Sequence, residues 1–166
     1  MRERGQIFST DFLIAISVFM VVLILSIAFL NDSLLRVESI ERFNGLQEAA
    51  AAASDSLVLS VGVPFNWQNK ASLSDVNAIG LADSANFLDS AKLQRFSDLN
   101  ASDYNAVKEI LGVSKFGLFV SINSLQNSQR LFAFGLSPDS NAEVASIQRL
   151  ALLGNEDVLV NVKVFK

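Results

Sequence analysis

Asp11 has the most unusual surroundings of any ionisable residue in this sequence. It directly precedes a run of nineteen residues, Phe12–Leu30, in which no side chain carries a formal charge. An ionised carboxylate that lies unpaired inside a membrane, or at its edge, loses a costly amount of solvation free energy. If this run enters a bilayer, Asp11 therefore needs a cationic partner or must be protonated.

The rest of the sequence offers no recognisable set of catalytic groups. It contains no cysteine and no histidine, which excludes disulfides, thiolate nucleophiles, zinc sites built on those residues and a histidine general base. It also contains no nucleophile with an adjacent base, no usefully spaced carboxylate pair, no P-loop and no dinucleotide-binding glycine pattern. The sequence therefore predicts a protein that is not an enzyme and that holds no metal and no cofactor.

Charge and composition narrow the range of partners. The net charge is -4, and the thirteen lysines and arginines are scattered rather than gathered into a run that could follow a phosphate backbone, so we expect no nucleic acid partner. Apolar residues make up 51% of the chain and charged residues 18%, which is more apolar than an ordinary soluble core requires. As a helix, Phe12–Leu30 would span roughly 28 Å, close to the thickness of a bilayer's hydrocarbon core. Membrane lipid is therefore a predicted partner.

The charges that flank the apolar run predict its orientation. Arg2 and Arg4 precede it, whereas the charges after it are of mixed sign. By the positive-inside rule, the N-terminus lies in the cytoplasm and the chain beyond the run lies outside the cell. A cleaved secretory signal would have a shorter apolar segment, of about 7 to 15 residues, and a small-residue cleavage site. A plain signal anchor explains the run and its flanking charges but gives no role to Asp11.

The residues around Asp11 resemble a known type of leader. Arg4–Phe12 reads RGQIFSTDF and is similar to the class III signal peptide of archaeal type IV pilin-like proteins. The resemblance implies that a prepilin-type peptidase cuts between Gly5 and Gln6 and leaves the apolar helix on the mature subunit. In this chain Ser9 and Asp11 lie one residue further from Gln6 than in the common pattern. Cleavage after Gln6 therefore stays open as well.

The same resemblance implies a function and a set of partners. The chain would be a pilin or minor pilin of an archaeal type IV pilus-like filament on the cell surface, with cell adhesion among the roles of such filaments. It would be held in lipid first and then joined to copies of itself or to other pilins by assembly machinery. Asp11, Phe12 and Phe19 are the predicted assembly residues. The alternative is a single-pass, membrane-anchored extracellular binding or sensory module that does not polymerise.

The helical pattern continues past the apolar run. Residues 6–60 are predicted to form one helix, whose later half carries apolar residues at spacings of three or four that would pack as one stripe on the head: Val37, Ile40, Phe43, Leu46, Ala50, Ala53, Leu57 and Val61. The chain is thus divided into a basic leader (residues 1–5), a hydrophobic and then amphipathic helix (6–60) and an α+β extracytoplasmic head (61–166).

The head is predicted to combine two short helices with a sheet. Phe87–Leu99 and Ser102–Leu111 read as helices, the second begun by Ser102 and stopped by Gly112. From Lys115 onwards the apolar period changes to two, which predicts four strands, near residues 116–122, 131–136, 144–153 and 158–164. Short polar turns imply that the sheet is antiparallel. The predicted fold is α+β, a long N-terminal helix packed on a C-terminal antiparallel sheet, which is also what the resemblance to type IV pilins implies.

Two further patterns lie in the head region. A set of residues after the long helix also resembles archaeal class III signal peptide proteins, and its members are Gly62-Val63-Pro64-Phe65-Asn66-Trp67, Ile79-Gly80-Leu81 and Lys92-Leu93. Trp67 is predicted to be a core aromatic that seals the helix to the sheet, in preference to a ligand platform. Asn31 and Asn100 each begin an N-glycosylation sequon, and Asn100 is the better site because Asn31 abuts the apolar run.

Overall fold

The computed structural model describes residues 4–166, with the backbone alone described at residues 4–9, 34–36, 38, 39 and 101. Residues 1–3, which belong to the predicted leader, lie outside the described residues. The chain divides between Arg42 and Phe43 into two compact units. Helix α1 (Arg4–Leu59) begins in the first unit and ends in the second, so the helix predicted over residues 6–60 is confirmed to within two residues at each end.

The first unit is built on the apolar part of α1. Its segment Thr10–Ser33 has 24 residues and a mean hydropathy of 3.1, and none of it is buried. By length and composition this segment can cross a membrane, although an N-terminal signal sequence has the same properties. The predicted apolar N-terminal helix is therefore present, and its place in a membrane stays a prediction.

The second unit follows α1 with two short helices and six strands. The helices are α2 (Ser90–Ser102) and α3 (Tyr104–Ile110), and two single 3-10 turns precede them at Trp67–Asn69 and Leu73–Asp75. The strands are β1 (Ala82–Ser84), β2 (Phe87–Leu88), β3 (Gly117–Ser124), β4 (Arg130–Gly135), β5 (Val144–Leu153) and β6 (Glu156–Phe165). The fold class is α+β, as predicted.

The six strands form one mixed sheet in the order β1-β2-β5-β6-β3-β4. The four long strands that the sequence predicts are all present, and they pair antiparallel. The prediction of a wholly antiparallel sheet is wrong, because β2 pairs with β5 in the parallel direction, with Phe87 beside Leu152. Strands of three and two residues, such as β1 and β2, are too short to show an alternating pattern in the sequence.

The two short helices begin later than predicted. Phe87 and Leu88 form β2 instead of the first turn of a helix, and α2 begins only after Asp89, whose carboxylate accepts a hydrogen bond from the Ala91 amide at 2.7 Å. Ser102 is the last residue of α2 rather than a cap, and Asp103 ends α2 and precedes α3.

The end of α3 is as predicted. The helix finishes at Ile110, and Gly112 follows with a φ of 73°. That left-handed conformation favours glycine and stops a helix.

The core of the second unit lies between the end of α1 and one face of the sheet. Alternate residues of β3 and β6 are buried on that face: Leu118, Val120, Ile122, Val158, Val160, Val162 and Val164. On α1, the buried apolar residues include Leu46, Ala50, Ala53 and Leu57. Spacings of four, three and four keep these helical positions on one side, since an α-helix turns by about 100° per residue.

The predicted stripe is wrong at both ends. Val37, Ile40 and Phe43 are exposed. Val37 and Ile40 precede the second unit, which begins at Phe43, and none of the described side chains of α1 before Leu46 is buried. Val61 is also exposed, because α1 has already ended at Leu59.

Candidate functional site

The predicted assembly residues lie on the exposed, apolar part of α1. Asp11 is exposed, and so are Phe12 and Phe19, at 63% and 62% of their full area. Large apolar side chains at this exposure are unfavourable in water, because about 25 cal/mol is lost for each Å² of apolar surface left in water. The exposed surface around Asp11 is thus suited to lipid, to other helices, or to both in turn.

The serines in this segment are compatible with an apolar environment. The hydroxyls of Ser17, Ser26 and Ser33 donate hydrogen bonds to the carbonyl oxygens four residues earlier in the helix, at 2.7 to 2.8 Å. A serine that is paired in this way has no unmet donor. These three serine hydroxyls can therefore enter an apolar medium without a large penalty.

The predicted cleavage residues Gly5 and Gln6 lie in the first turns of α1, where the backbone alone is described. The bond between them is therefore placed within the helical segment that precedes Asp11. Cleavage at this position stays a prediction.

The two sequons differ in their surroundings. Asn31 is exposed on α1 at the end of the apolar segment. Asn100 is exposed near the end of α2, and its side-chain oxygen accepts a hydrogen bond from the backbone amide of Gly135 at 2.6 Å. Gly135 ends β4, an edge strand, so Asn100 pairs with a backbone group that has no neighbouring strand. The side-chain nitrogen, to which a glycan would be attached, is not used in that bond.

The second sequence pattern forms one cluster at the C-terminal end of α1. The last carbonyl groups of a helix lack partners within the helix itself. Here backbone amides from the β1–β2 region supply them: Leu81 donates to Leu57, Asn86 to Val58 and Ala82 to Ser60, at 2.9, 3.1 and 3.3 Å. The end of α1 is therefore tied to the sheet by backbone bonds.

Trp67 and two glycines lie at the centre of this cluster. The indole is fully buried, and its N–H donates to the carbonyl oxygen of Gly80 at 2.8 Å. A Cβ on Gly80 would overlap the carbonyl oxygen of Ser60, and a Cβ on Gly62 would collide with the indole. The prediction that Trp67 is a core aromatic is confirmed, and its burial leaves it no surface for a ligand.

Lys92 completes the cluster from α2. Its side chain is buried, and its ammonium group donates to the carbonyl oxygens of Val61 and Ala82, both at 2.8 Å. Lysine is almost never fully buried unless its charge is bound. The sequence pattern contained Lys92 but did not reveal this role, since no periodicity relates residues 61, 82 and 92.

One ion pair links α1 to the sheet. The guanidinium of Arg149, on β5, lies 2.5 Å from the carboxylate of Asp55 and also donates to the hydroxyl of Ser54 at 3.3 Å. Both charged side chains are more than 40% exposed, so water and salt screen the pair and its contribution to stability is small.

The structure thus brings together two groups of predicted residues. Asp11, Phe12 and Phe19 share the exposed helix. The second sequence pattern forms the cluster at the helix end, and we call this cluster the clamp. Among the residues that the structure describes, no three acidic side chains come close enough to hold a metal ion. Comparison of the chain with protein-family models, with curated proteins and with solved structures finds no match.

Proposed function

We propose that this protein is a pilin or minor pilin, a structural subunit of an archaeal type IV pilus-like surface filament. Its apolar helix is held in the membrane first and is then transferred into the filament core, where copies of the same helix surround it. The α+β unit is the extracellular head. The proposal rests on the resemblance of the leader to class III signal peptides and on the difference in burial between the two parts of α1.

The observation that carries the proposal is the change of environment along α1. Over Thr10–Ser33 the helix is apolar and unburied, whereas from Leu46 to Leu57 one side of it lies in the core of the second unit. A plain anchor needs only a flexible connection to its soluble domain. In a filament subunit, the helix that packs in the filament core must continue into the core of the head. That continuity is needed because the helix sets the position of the head in the filament.

Asp11 supplies the second argument. No lysine or arginine follows it before Arg36, which is 25 residues away and so about 37 Å along an α-helix. In a filament core the carboxylate therefore needs a cation from elsewhere. Removal of the leader creates a new α-amino group a few residues before Asp11, and the same group on an adjacent subunit can pair with it.

The experiment examines the mature N-terminus and the location of the protein. Mass spectrometry of the N-terminal peptide should show a start at Gln6 or Ile7, and shearing of the cells should release the protein with surface filaments. An intact Met1 in a protein that stays in the membrane would instead identify the anchored binding or sensory module. Cleavage near Ala28 would exclude both the pilin and the membrane-anchored module, and it would identify a secreted protein.

A further inference from the structure

The sheet of the second unit has two edges, β1 and β4. An edge strand exposes backbone amides and carbonyl groups that can pair with a strand of another chain, and native proteins usually block such edges. Strand β1 has only three residues, among them the exposed Asp83, so it offers little to pair with. Strand β4 has six residues and reads RLFAFG, which is apolar apart from Arg130. It is therefore the edge that needs protection.

A bulge disrupts the first part of β4. The pairing with β3 passes from Arg130 directly to Phe132, so Leu131 is left without a partner. A bulge of this kind bends the strand and interrupts its regular row of backbone groups. A strand added to this edge would therefore have to pair beyond Leu131.

Beyond the bulge, the backbone groups of Ala133 and the amide of Gly135 face the edge. The Gly135 amide donates to the side-chain oxygen of Asn100 at 2.6 Å, so it is directed away from β3. In an antiparallel ladder, residues that bond to the neighbouring strand alternate with residues that do not. The backbone groups of Ala133, two residues before Gly135, therefore also point away from β3.

A second side chain closes the ladder just past the end of β4. Phe119 is the first residue of β3 that has a partner in β4, namely Gly135, so Leu118 has none there. The hydroxyl of Tyr104 takes that place: it donates to the carbonyl oxygen of Leu118 at 3.1 Å and accepts from its amide at 2.9 Å. Side chains from α2 and α3 thus supply the bonds that neighbouring strands supply elsewhere in the sheet.

We propose that Asn100 is an edge cap, which keeps β4 from adding the β4 strand of a second copy of this chain. Between the bulge at Leu131 and the capped amide of Gly135, Ala133 alone offers free backbone groups, and a single residue does not fix a register. Without the cap, Ala133 and Gly135 together can pair antiparallel with the same two residues of another copy.

The cap does not depend on a glycan or on a filament. A glycan on Asn100 would be attached to the side-chain nitrogen and would leave the oxygen on Gly135. The cap requires only the folded second unit, so it goes beyond the proposed function and does not rest on it.

Hydrogen exchange resolved to single amides tests the proposal, on the full chain in lipid vesicles at increasing protein-to-lipid ratios. In the unaltered protein the Ala133 amide should exchange equally fast at every ratio. In Asn100→Ala its exchange should slow several-fold as the ratio rises, because a second β4 covers it. If Asn100 makes only a local bond, Asn100→Ala will instead speed exchange at Gly135 and leave Ala133 unchanged, and that result would overturn the proposal.

Two control variants separate the cap from the sequon. Asn100→Asp keeps an acceptor oxygen and Ser102→Ala keeps Asn100 itself, yet both remove the sequon. Both should exchange like the unaltered protein, whereas slowed exchange at Ala133 in all three variants would assign the effect to a glycan and refute the cap. The amides of β6, which lies between β5 and β3, report folding. Loss of their protection in Asn100→Ala would make Asn100 a determinant of folding and would equally contradict the proposal.

Discussion

The ammonium group of Lys92 lies 2.8 Å from the carbonyl oxygen of Val61, two residues beyond the end of α1. A bond of the same length joins it to Ala82, the first residue of β1. Lys92 itself stands in the first turn of α2. One buried charge therefore fastens the end of the long helix to the sheet edge and to the next helix, and both of these partners are neutral carbonyl groups.

This clamp and the whole core belong to residues 43–166, so that fragment should fold without the membrane segment. The sequence alone predicts a soluble head from near Asp32, but the burial of α1 begins only at Leu46 and the second unit begins at Phe43. We expect the fragment to be monomeric by light scattering and to show a cooperative thermal transition by circular dichroism. A molten or aggregated product would show that residues before Phe43 are part of the core.

Replacing Lys92 should weaken the head more than replacing any surface lysine. Lys92→Met keeps the length of the side chain but leaves the carbonyl oxygens of Val61 and Ala82 without their donor. Stranding a buried acceptor costs about 1 to 3 kcal/mol. Urea unfolding of the fragment should register a loss of this order.

The matched control is Lys115→Met, at an exposed position just before β3. It should change the free energy of unfolding by less than about 0.5 kcal/mol. If the two variants unfold at the same urea concentration, the clamp contributes nothing that a surface lysine does not.

Two glycines in the second unit should respond to alanine with opposite signs. In Gly80→Ala the new methyl group meets the backbone carbonyl of Ser60, which no rotamer change can relieve, and we expect a loss of at least about 2 kcal/mol. In Gly45→Ala the methyl group meets nothing within 4 Å, and the helix gains up to about 1 kcal/mol. Thermal unfolding measures both. A Gly80→Ala protein as stable as the parent would show that the loop moves freely around Ser60.

The sequence was most informative where a single period continued over many residues. The apolar helix and the strands β3 to β6 follow from such periods. The hairpin β1–β2 does not, because strands of three and two residues are held by bonds to the end of α1 and to β5 that only the folded chain provides.

The stripe on α1 shows a different limit. The spacings of three and four from Val37 to Leu57 indicate one helix, but periodicity along a helix does not show where the elements that cover it end. Among the described residues of α1, burial begins only at Leu46, three residues after the second unit begins at Phe43.

Asp11 is expected to be needed for assembly but not for insertion. At the membrane surface its carboxylate can reach towards water at modest cost, whereas in a filament core it would be surrounded by apolar helices. Paired there with the α-amino group of an adjacent subunit, it would form a buried ion pair, and breaking such a pair by removing one partner typically costs about 3 to 5 kcal/mol. Asp11→Ala should therefore be inserted and processed normally, yet be absent from sheared filaments.

Asp11→Glu is the matched variant, because it keeps the charge and moves it by one methylene. It should retain partial recovery in the sheared fraction, since a longer side chain can still reach the amine at some cost in geometry. The comparison needs equal amounts of each protein in the membrane and the same mature N-terminus by mass spectrometry, so that a loss of filaments reports assembly alone. Normal recovery of Asp11→Ala in filaments would show that the carboxylate is not paired in the assembled state, and the reason for an acid beside nineteen uncharged residues would then have to lie in leader recognition.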